Sequence, residues 1–105
     1  MNKIKSYLGL CVKSNGIIIG QDKLKQSKKR PYLIVLSPNA TDNLKDLAIR
    51  LGDKFHCEVI TTNIVLEELI NISNCKIVGI ININLAKAIK NCDNEFTFLR
   101  SKNDQ

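Results

Sequence analysis

The sequence has few of the residues on which most enzyme chemistry depends. Its 105 residues include one histidine, no tryptophan and only 5% aromatic residues. It contains no phosphate-loop, dinucleotide-binding, nucleophile-elbow or HExxH pattern. The lone histidine, His56, directly precedes Cys57, and neighbouring residues on a strand point to opposite faces, so the two are not expected to form a catalytic pair. We therefore expect a protein that is not an enzyme.

Paired cysteines and long apolar runs are also missing. Cys11, Cys57, Cys75 and Cys92 lie far apart in the chain, which predicts isolated core thiols and provides neither a disulfide framework nor the closely spaced ligands of a zinc site. Apolar runs such as residues 77–81 are far shorter than the roughly 18–20 residues that cross a bilayer. We expect no metal, no cofactor and a cytoplasmic location.

Positive charge is concentrated in the first third of the chain, within a net charge of +6. Residues 1–37 carry eight basic residues and one acidic residue, whereas residues 38–75 carry three basic and six acidic residues. Residues 76–105 carry five basic and three acidic residues. Such segregation indicates a polyanionic partner, usually nucleic acid or a membrane surface.

Hydrophobic spacing predicts helices that alternate with short strands. In order, these are a helix over 3–14, a strand over 17–19, a polar helix over 21–29, a strand over 32–36, a helix from a Thr41 cap through 54, a strand over 57–61, a helix capped by Asn63, a strand over 77–81 and a helix that buries Leu85, Ala86 and Ile89. Strands 32–36 and 77–81 are apolar throughout, which is typical of strands covered on both faces. We predict an α/β fold, a three-layer α/β/α sandwich around a small mixed sheet of about four strands. It forms a single domain over residues 1–92, and residues 93–105 are expected to be a loosely held tail.

The second helix is the strongest candidate for a phosphate-binding surface. It follows Gly20, whose missing side chain would let a phosphate backbone approach, and five of the eight residues from Lys23 to Arg30 are basic. The alternative is a solvated helix face in a lysine-rich protein. Because aromatic residues are scarce, a reader of RNA backbone and shape fits better than a base-stacking platform.

The connection over residues 71–76 is a second candidate surface. Its apolar residue, Ile72, either folds back onto the core or contacts a partner, and the sequence leaves both possibilities open.

Several segments together point to a known family: Leu8-Gly9-Leu10-Cys11, Gly20, residues 32–41, Leu66-Glu67-Glu68-Leu69-Ile70, Val78-Gly79-Ile80 and Leu85-Ala86-Lys87-Ala88-Ile89. They resemble the bacterial YlxQ-like branch of the kink-turn-binding ribosomal protein superfamily, which includes archaeal ribosomal protein L-seven-Ae and eukaryotic L-thirty-e. Together they cover residues 4 to about 90. The resemblance implies a three-layer α/β/α fold and a cytoplasmic ribonucleoprotein function.

In RNA-binding members of this superfamily, a Gly-x-Asn-Glu-x-x-Lys pattern meets the G·A pairs of a kink-turn. Here Asp22, Lys23 and Gln26 occupy the Asn, Glu and Lys positions, which keeps the positive charge of the helix but changes the hydrogen-bond pattern offered to guanine edges. Glu67 stands where a glycine is common.

By pattern and resemblance together, the expected function is non-catalytic binding of structured RNA, either ribosomal or another kink-turn-like RNA, alongside the ribosome or translation factors. The expected RNA-binding residues are Gly20, Gln21, Asp22, Lys23, Lys25, Gln26, Lys28, Lys29, Arg30, Ile72, Ser73, Asn74, Cys75 and Lys76. Neither DNA nor a membrane is an expected partner. Two alternatives remain: a protein-interaction module that uses the acidic segment from Asp42 to Glu68, and a small α/β enzyme or nucleotide binder.

Overall fold

Residues 3–100 fold into five α-helices and five strands in alternation. The computed structural model describes residues 3–100, apart from the side chain of Asp93. The elements are α1 (Lys3–Lys13), β1 (Ile17–Ile19), α2 (Gln21–Gln26), β2 (Leu33–Leu36), α3 (Asp42–Phe55), β3 (Glu58–Thr62), α4 (Leu66–Ile70), β4 (Ile77–Ile80), α5 (Ile83–Lys90), a 3-10 turn (Asp93–Glu95) and β5 (Phe96–Arg100).

All five strands of the described residues form one mixed sheet in the order β1-β4-β2-β3-β5. The central strand β2 pairs parallel with β3 and antiparallel with β4. At the two edges, β1 pairs antiparallel with β4, and β5 pairs antiparallel with β3. The predicted α/β fold is confirmed, with five strands where about four were expected.

The helices cover both faces of the sheet. Alternate residues of β2 separate the two cores: Leu33 and Val35 pack with α1, α4 and α5, whereas Ile34 and Leu36 pack with α2 and α3. All four of these side chains are fully buried. This explains why β2 reads as a continuous apolar run, since a strand covered on both faces has no solvent-facing side.

The additional strand corrects the prediction of a loose tail from residue 93. Phe96–Arg100 pair with β3, Phe96 is buried, and the ring of Phe98 meets that of Phe96 edge-on at 5.2 Å between centroids. Residues 101–105, the rest of the predicted tail, lie outside the described residues.

One of the two predicted helix caps near the middle of the chain is confirmed, and the other is wrong. The Thr41 hydroxyl accepts a hydrogen bond from the Leu44 amide and caps α3. Asn63 does not cap α4, which begins after Val65 without a side-chain cap. Its Nδ2 instead donates to the carbonyl of Asn94, because the turn before β5 folds against it.

The two ends of the sheet have different surroundings, and we name them after the residues that flank β2. At the Ser37 end, the Gly20 amide donates to the Ile77 carbonyl and the Ser37 amide donates to the Lys76 carbonyl. At the Tyr32 end, the Tyr32 amide donates to the Ile80 carbonyl. No helix among residues 3–100 has the length and apolar character needed to span a bilayer.

Candidate nucleic-acid interface

Helix α2 is attached to the sheet through one fully buried side chain. Gly20 precedes it with φ of 95°, a backbone angle that residues with a side chain rarely adopt. Leu24 is 0% exposed and lies over Gly79, where an added Cβ would come within 2.5 Å of the Leu24 Cδ2. The close approach therefore depends on the glycine in β4. The other side chains of α2 are exposed: Gln21, Asp22, Lys23, Lys25 and Gln26.

The helix ends three residues earlier than the predicted boundary at residue 29. Ser27 is extended, with ψ of 133°, and its hydroxyl both accepts from the Lys29 amide and donates to the Lys29 carbonyl. This local turn competes with helical hydrogen bonding, as serine side chains commonly do. Lys28 and Lys29 consequently lie on an exposed loop rather than on the helix.

Four lysines give this region its charge. Lys23, Lys25, Lys28 and Lys29 are all exposed, and none of them forms an ion pair within residues 3–100. We call residues 21–29 the basic segment. Because these charges are not neutralised by neighbouring carboxylates, they remain available to an external anion.

Arg30 is held in a different way from the lysines. Its Nε donates to the Phe55 carbonyl at 2.7 Å, and its Nη2 donates to the His56 carbonyl at 3.2 Å. These carbonyls lie at the end of α3, where His56 adopts a left-handed conformation. Arg30 therefore lies at the Tyr32 end of the sheet and not beside Gly20.

Glu67 fixes the conformation of the loop over residues 71–76. Its Oε1 accepts from the Lys76 ammonium at 2.8 Å, and its Oε2 accepts from the Asn74 amide at 2.6 Å. The bond from Lys76, followed by the bond from Asn74, holds the pKa of Glu67 below its ordinary value. The Glu67 carboxylate thus fastens this loop to α4.

The side chains of the loop differ in what they offer to a partner. Ser73 and Asn74 are exposed, and Ile72 is half-buried against the core, which agrees with the first of its two interpretations. The side chain of Cys75 is buried, and burial raises the pKa of its thiol. Cys75 therefore presents no side-chain surface to an RNA, and Lys76 is already paired with Glu67.

The two predicted surfaces meet at the Ser37 end of the sheet, although they are distant in the sequence. Together they line a shallow depression of about 110 Å³ formed by Gly20, Gln21, Leu44, Asn74, Lys76 and Ile77. A neighbouring open groove of about 310 Å³ shares Gln21 and Leu44 and continues between α2 and α3 past Lys25. The basic segment and the loop thus border one continuous surface.

Residues of α3 that are not among the expected RNA-binding residues complete that surface. Asn43 and Arg50 line the groove opposite Lys25. No pattern in the sequence points to them, because the packing of α3 beside α2 is a tertiary contact. Their positions on the outer face of α3 are consistent with its predicted amphipathic pattern.

Half of the six carboxylates in the acidic segment, residues 42–68, pair with cations that are distant in the sequence. Asp53 pairs with Arg100 at 2.7 Å, Glu58 with Lys90 at 2.8 Å and Glu67 with Lys76 at 2.8 Å. Each partner comes from the last third of the chain. The acidic face on which the protein-interaction hypothesis rests is therefore weaker than the sequence indicates.

Other kinds of site have little support among the described residues. Within residues 3–100, no three histidine, cysteine or acidic side chains lie where they could hold a metal ion. All four cysteines are buried, as predicted, and burial raises the pKa of Cys11 to about 11. A thiol with so high a pKa is a poor nucleophile at neutral pH.

Comparisons with known proteins provide a fold but no function. No protein-family model and no curated protein matches the chain. A solved structure described as that of a protein with unknown function from Bacillus halodurans C superposes with a TM-score of 0.76 at 16% sequence identity. The match covers 90% of this chain and 100% of the other. At this identity the likeness supports the fold alone.

Proposed function

We propose that this protein is a non-catalytic RNA-binding protein of the cytoplasm. It binds structured RNA and acts together with the ribosome or the translation machinery. The observation that carries the proposal is the set of exposed lysines at positions 23, 25, 28 and 29, which have no ion pair within residues 3–100. They follow Gln21, which lines the same depression as Asn74. Exposed lysines suit a phosphate backbone, which they contact as point charges.

The basic segment and the loop have complementary tasks in this proposal. The lysines neutralise phosphates and supply most of the affinity, while the loop, fastened by Glu67, supports a distorted strand. Asp22 and Lys23 alter the pattern that would read the G·A pairs of a kink-turn, so recognition rests mainly on backbone and shape. The ribosomal association comes from the resemblance alone.

The test compares two charge-reversed double variants. Lys25→Glu with Lys28→Glu changes the basic segment, whereas Lys3→Glu with Lys13→Glu makes the same charge change on α1, which packs on the opposite face of the sheet. We expect the first variant to weaken binding of a labelled kink-turn RNA by at least about tenfold. The slope of the logarithm of affinity against the logarithm of salt concentration should fall by the equivalent of about two phosphate contacts. The α1 variant should bind nearly as the wild type does.

A matched, fully paired duplex and a salt titration complete the experiment. Tighter binding of the kink-turn RNA than of the duplex indicates that shape is read, and equal binding reduces the function to general backbone binding. Equal losses in the two double variants would contradict the assignment of the site to the basic segment. No binding of either RNA would favour the protein-interaction alternative.

A further inference from the structure

A second cavity lies at the Tyr32 end of the sheet, away from the depression beside Gly20. It encloses about 150 Å³ and is lined from three parts of the chain: the segment before β2, the junction of α3 and β3, and helix α5. The central strands β2 and β4 are four residues long, so the two ends of the sheet lie about 13 Å apart at the usual rise per residue. The cavity is therefore distinct from the proposed RNA surface.

The lining of this cavity is cationic. Two exposed cations, Arg30 and Lys87, line it beside the exposed side chain of His56. Among the described lining residues the single carboxylate is that of Glu58, and its Oε1 lies 2.8 Å from the Lys90 ammonium, so its charge is already neutralised. The two hydrogen bonds from Arg30 to backbone carbonyls fix its guanidinium at the rim before any ligand arrives.

The same cavity also has exposed apolar walls. Tyr32 and Ile83 line it and remain 39% and 45% exposed, although side chains of this kind are usually buried. Below them, Ala86 is buried at 1% exposure. The cavity thus places Tyr32 and Ile83 beside two cations, Arg30 and Lys87. This combination suits a ligand that has both a flat apolar part and an anionic part.

We propose that this cavity binds a nucleotide, with the base against Tyr32 and Ile83 and the phosphate held by Arg30 and Lys87. The volume favours one base, because sites for larger ligands enclose roughly 300–1,000 Å³. The nucleotide is either a free nucleoside monophosphate or an unpaired nucleotide of an RNA chain. The proposal does not depend on the function assigned to the basic segment.

The test titrates each of the four nucleoside 5′-monophosphates, and separately a short single-stranded RNA, into isotope-labelled protein and follows the backbone amide resonances. We expect saturable shifts at Tyr32, His56 and Lys87. Tyr32→Ala and Lys87→Glu should each weaken binding by at least about fivefold, since each removes a base or phosphate contact. Lys3→Glu makes the same charge change as Lys87→Glu at the opposite end of the sheet and should leave the affinity unchanged.

The arms of the experiment separate the two sources of the nucleotide. Saturable binding of monophosphates supports a free-nucleotide site, and binding of the RNA alone supports a nucleotide of an RNA chain. The RNA arm is repeated on Lys25→Glu with Lys28→Glu, which separates pocket binding from binding by the basic segment. The proposal is overturned if neither ligand shifts these residues, if both pocket variants bind as the wild type does, or if inorganic phosphate binds as tightly as the monophosphates.

Discussion

The basic segment and the acidic segment are two charge clusters of opposite sign that the fold treats differently. Three carboxylates of the acidic segment, at Asp53, Glu58 and Glu67, each receive a cation from the last third of the chain at 2.7–2.8 Å. The lysines of the basic segment receive no carboxylate within residues 3–100. Half of the acidic segment is paired within the fold, whereas the lysines of the basic segment face solvent.

This difference shows that a charge count along the sequence does not measure the charge that a partner meets. Paired carboxylates contribute little to the field at the surface, whereas unpaired exposed lysines contribute fully, within the limits of salt screening. The surface around α2 is therefore more positive than the net charge of +6 alone indicates. The following predictions test the two halves of this comparison, beginning with the anchor of the basic segment.

The largest effect is expected from Leu24→Ala. Leu24 is the one buried side chain of α2, so its truncation removes the apolar contact that holds the basic segment on the sheet. We expect the free energy of unfolding, measured by urea denaturation, to fall by about 2–5 kcal/mol. The affinity for RNA should fall with it, because the lysines lose their fixed positions.

Leu99→Ala is the control for this variant, since Leu99 is only half-buried in the same core and lies on β5, outside the groove between α2 and α3. Its loss of stability should be smaller, and its RNA affinity should be retained. If Leu24→Ala left both stability and affinity unchanged, contacts other than Leu24 would have to anchor the segment.

An intermediate effect is expected from Glu67→Gln, which removes the charge of a paired carboxylate in the acidic segment. The pKa of Glu67 is lowered in the folded protein. Its ionised carboxylate therefore stabilises the fold at pH values above 4.5, the ordinary pKa of the group. That stabilisation is lost as the pH falls below 4.5 and through the lowered pKa. Urea midpoints should therefore show a more stable wild type at neutral pH and a difference that vanishes in acid.

Glu68→Gln is the matched neighbour, because Glu68 is exposed and forms no ion pair within residues 3–100. It should produce no comparable pH-dependent difference. A difference between wild type and Glu67→Gln that persisted unchanged at low pH would mean that the pair with Lys76 is not its source.

The smallest effect is expected from Asp53→Asn. The Asp53 side chain is 65% exposed, so water screens its pair with Arg100. Arg100 also donates to the carbonyl of Cys57 and remains in place without Asp53. We expect a change of less than about 0.5 kcal/mol in the free energy of unfolding, and a larger loss would show that this pair is structural.

Periodic sequence signals predicted the helices well and the last strand poorly. Ile4, Leu8 and Cys11 recur at helical spacing and are buried along α1, and Thr41 caps α3 as its position predicts. The alternation of Phe96 and Phe98 was a signal for β5, but a strand at a sheet edge is stabilised by pairing with β3, which is distant in the sequence. The early end of α2 depends on the hydrogen bonds made by the Ser27 hydroxyl.

The candidate site divides in the same way. The sequence located the basic segment and the loop over residues 71–76, because lysine clustering and loop composition are local properties. It did not indicate that Arg30 bonds to the end of α3 or that Arg50 lines the same groove as Lys25. Each of these depends on which surfaces meet after folding.

By itself, the sequence determined the alternation of helices and strands, the double burial of β2 and the location of positive charge, because hydrophobic period and composition act over short distances along the chain. Only the tertiary structure decided which charges are neutralised and which segments share a surface. Ion pairs such as that of Glu58 with Lys90, and the meeting of Gly20 with Asn74, join residues that are far apart in the chain. Their formation depends on the packing of the whole sheet and its helices, since no local pattern encodes a contact between distant segments.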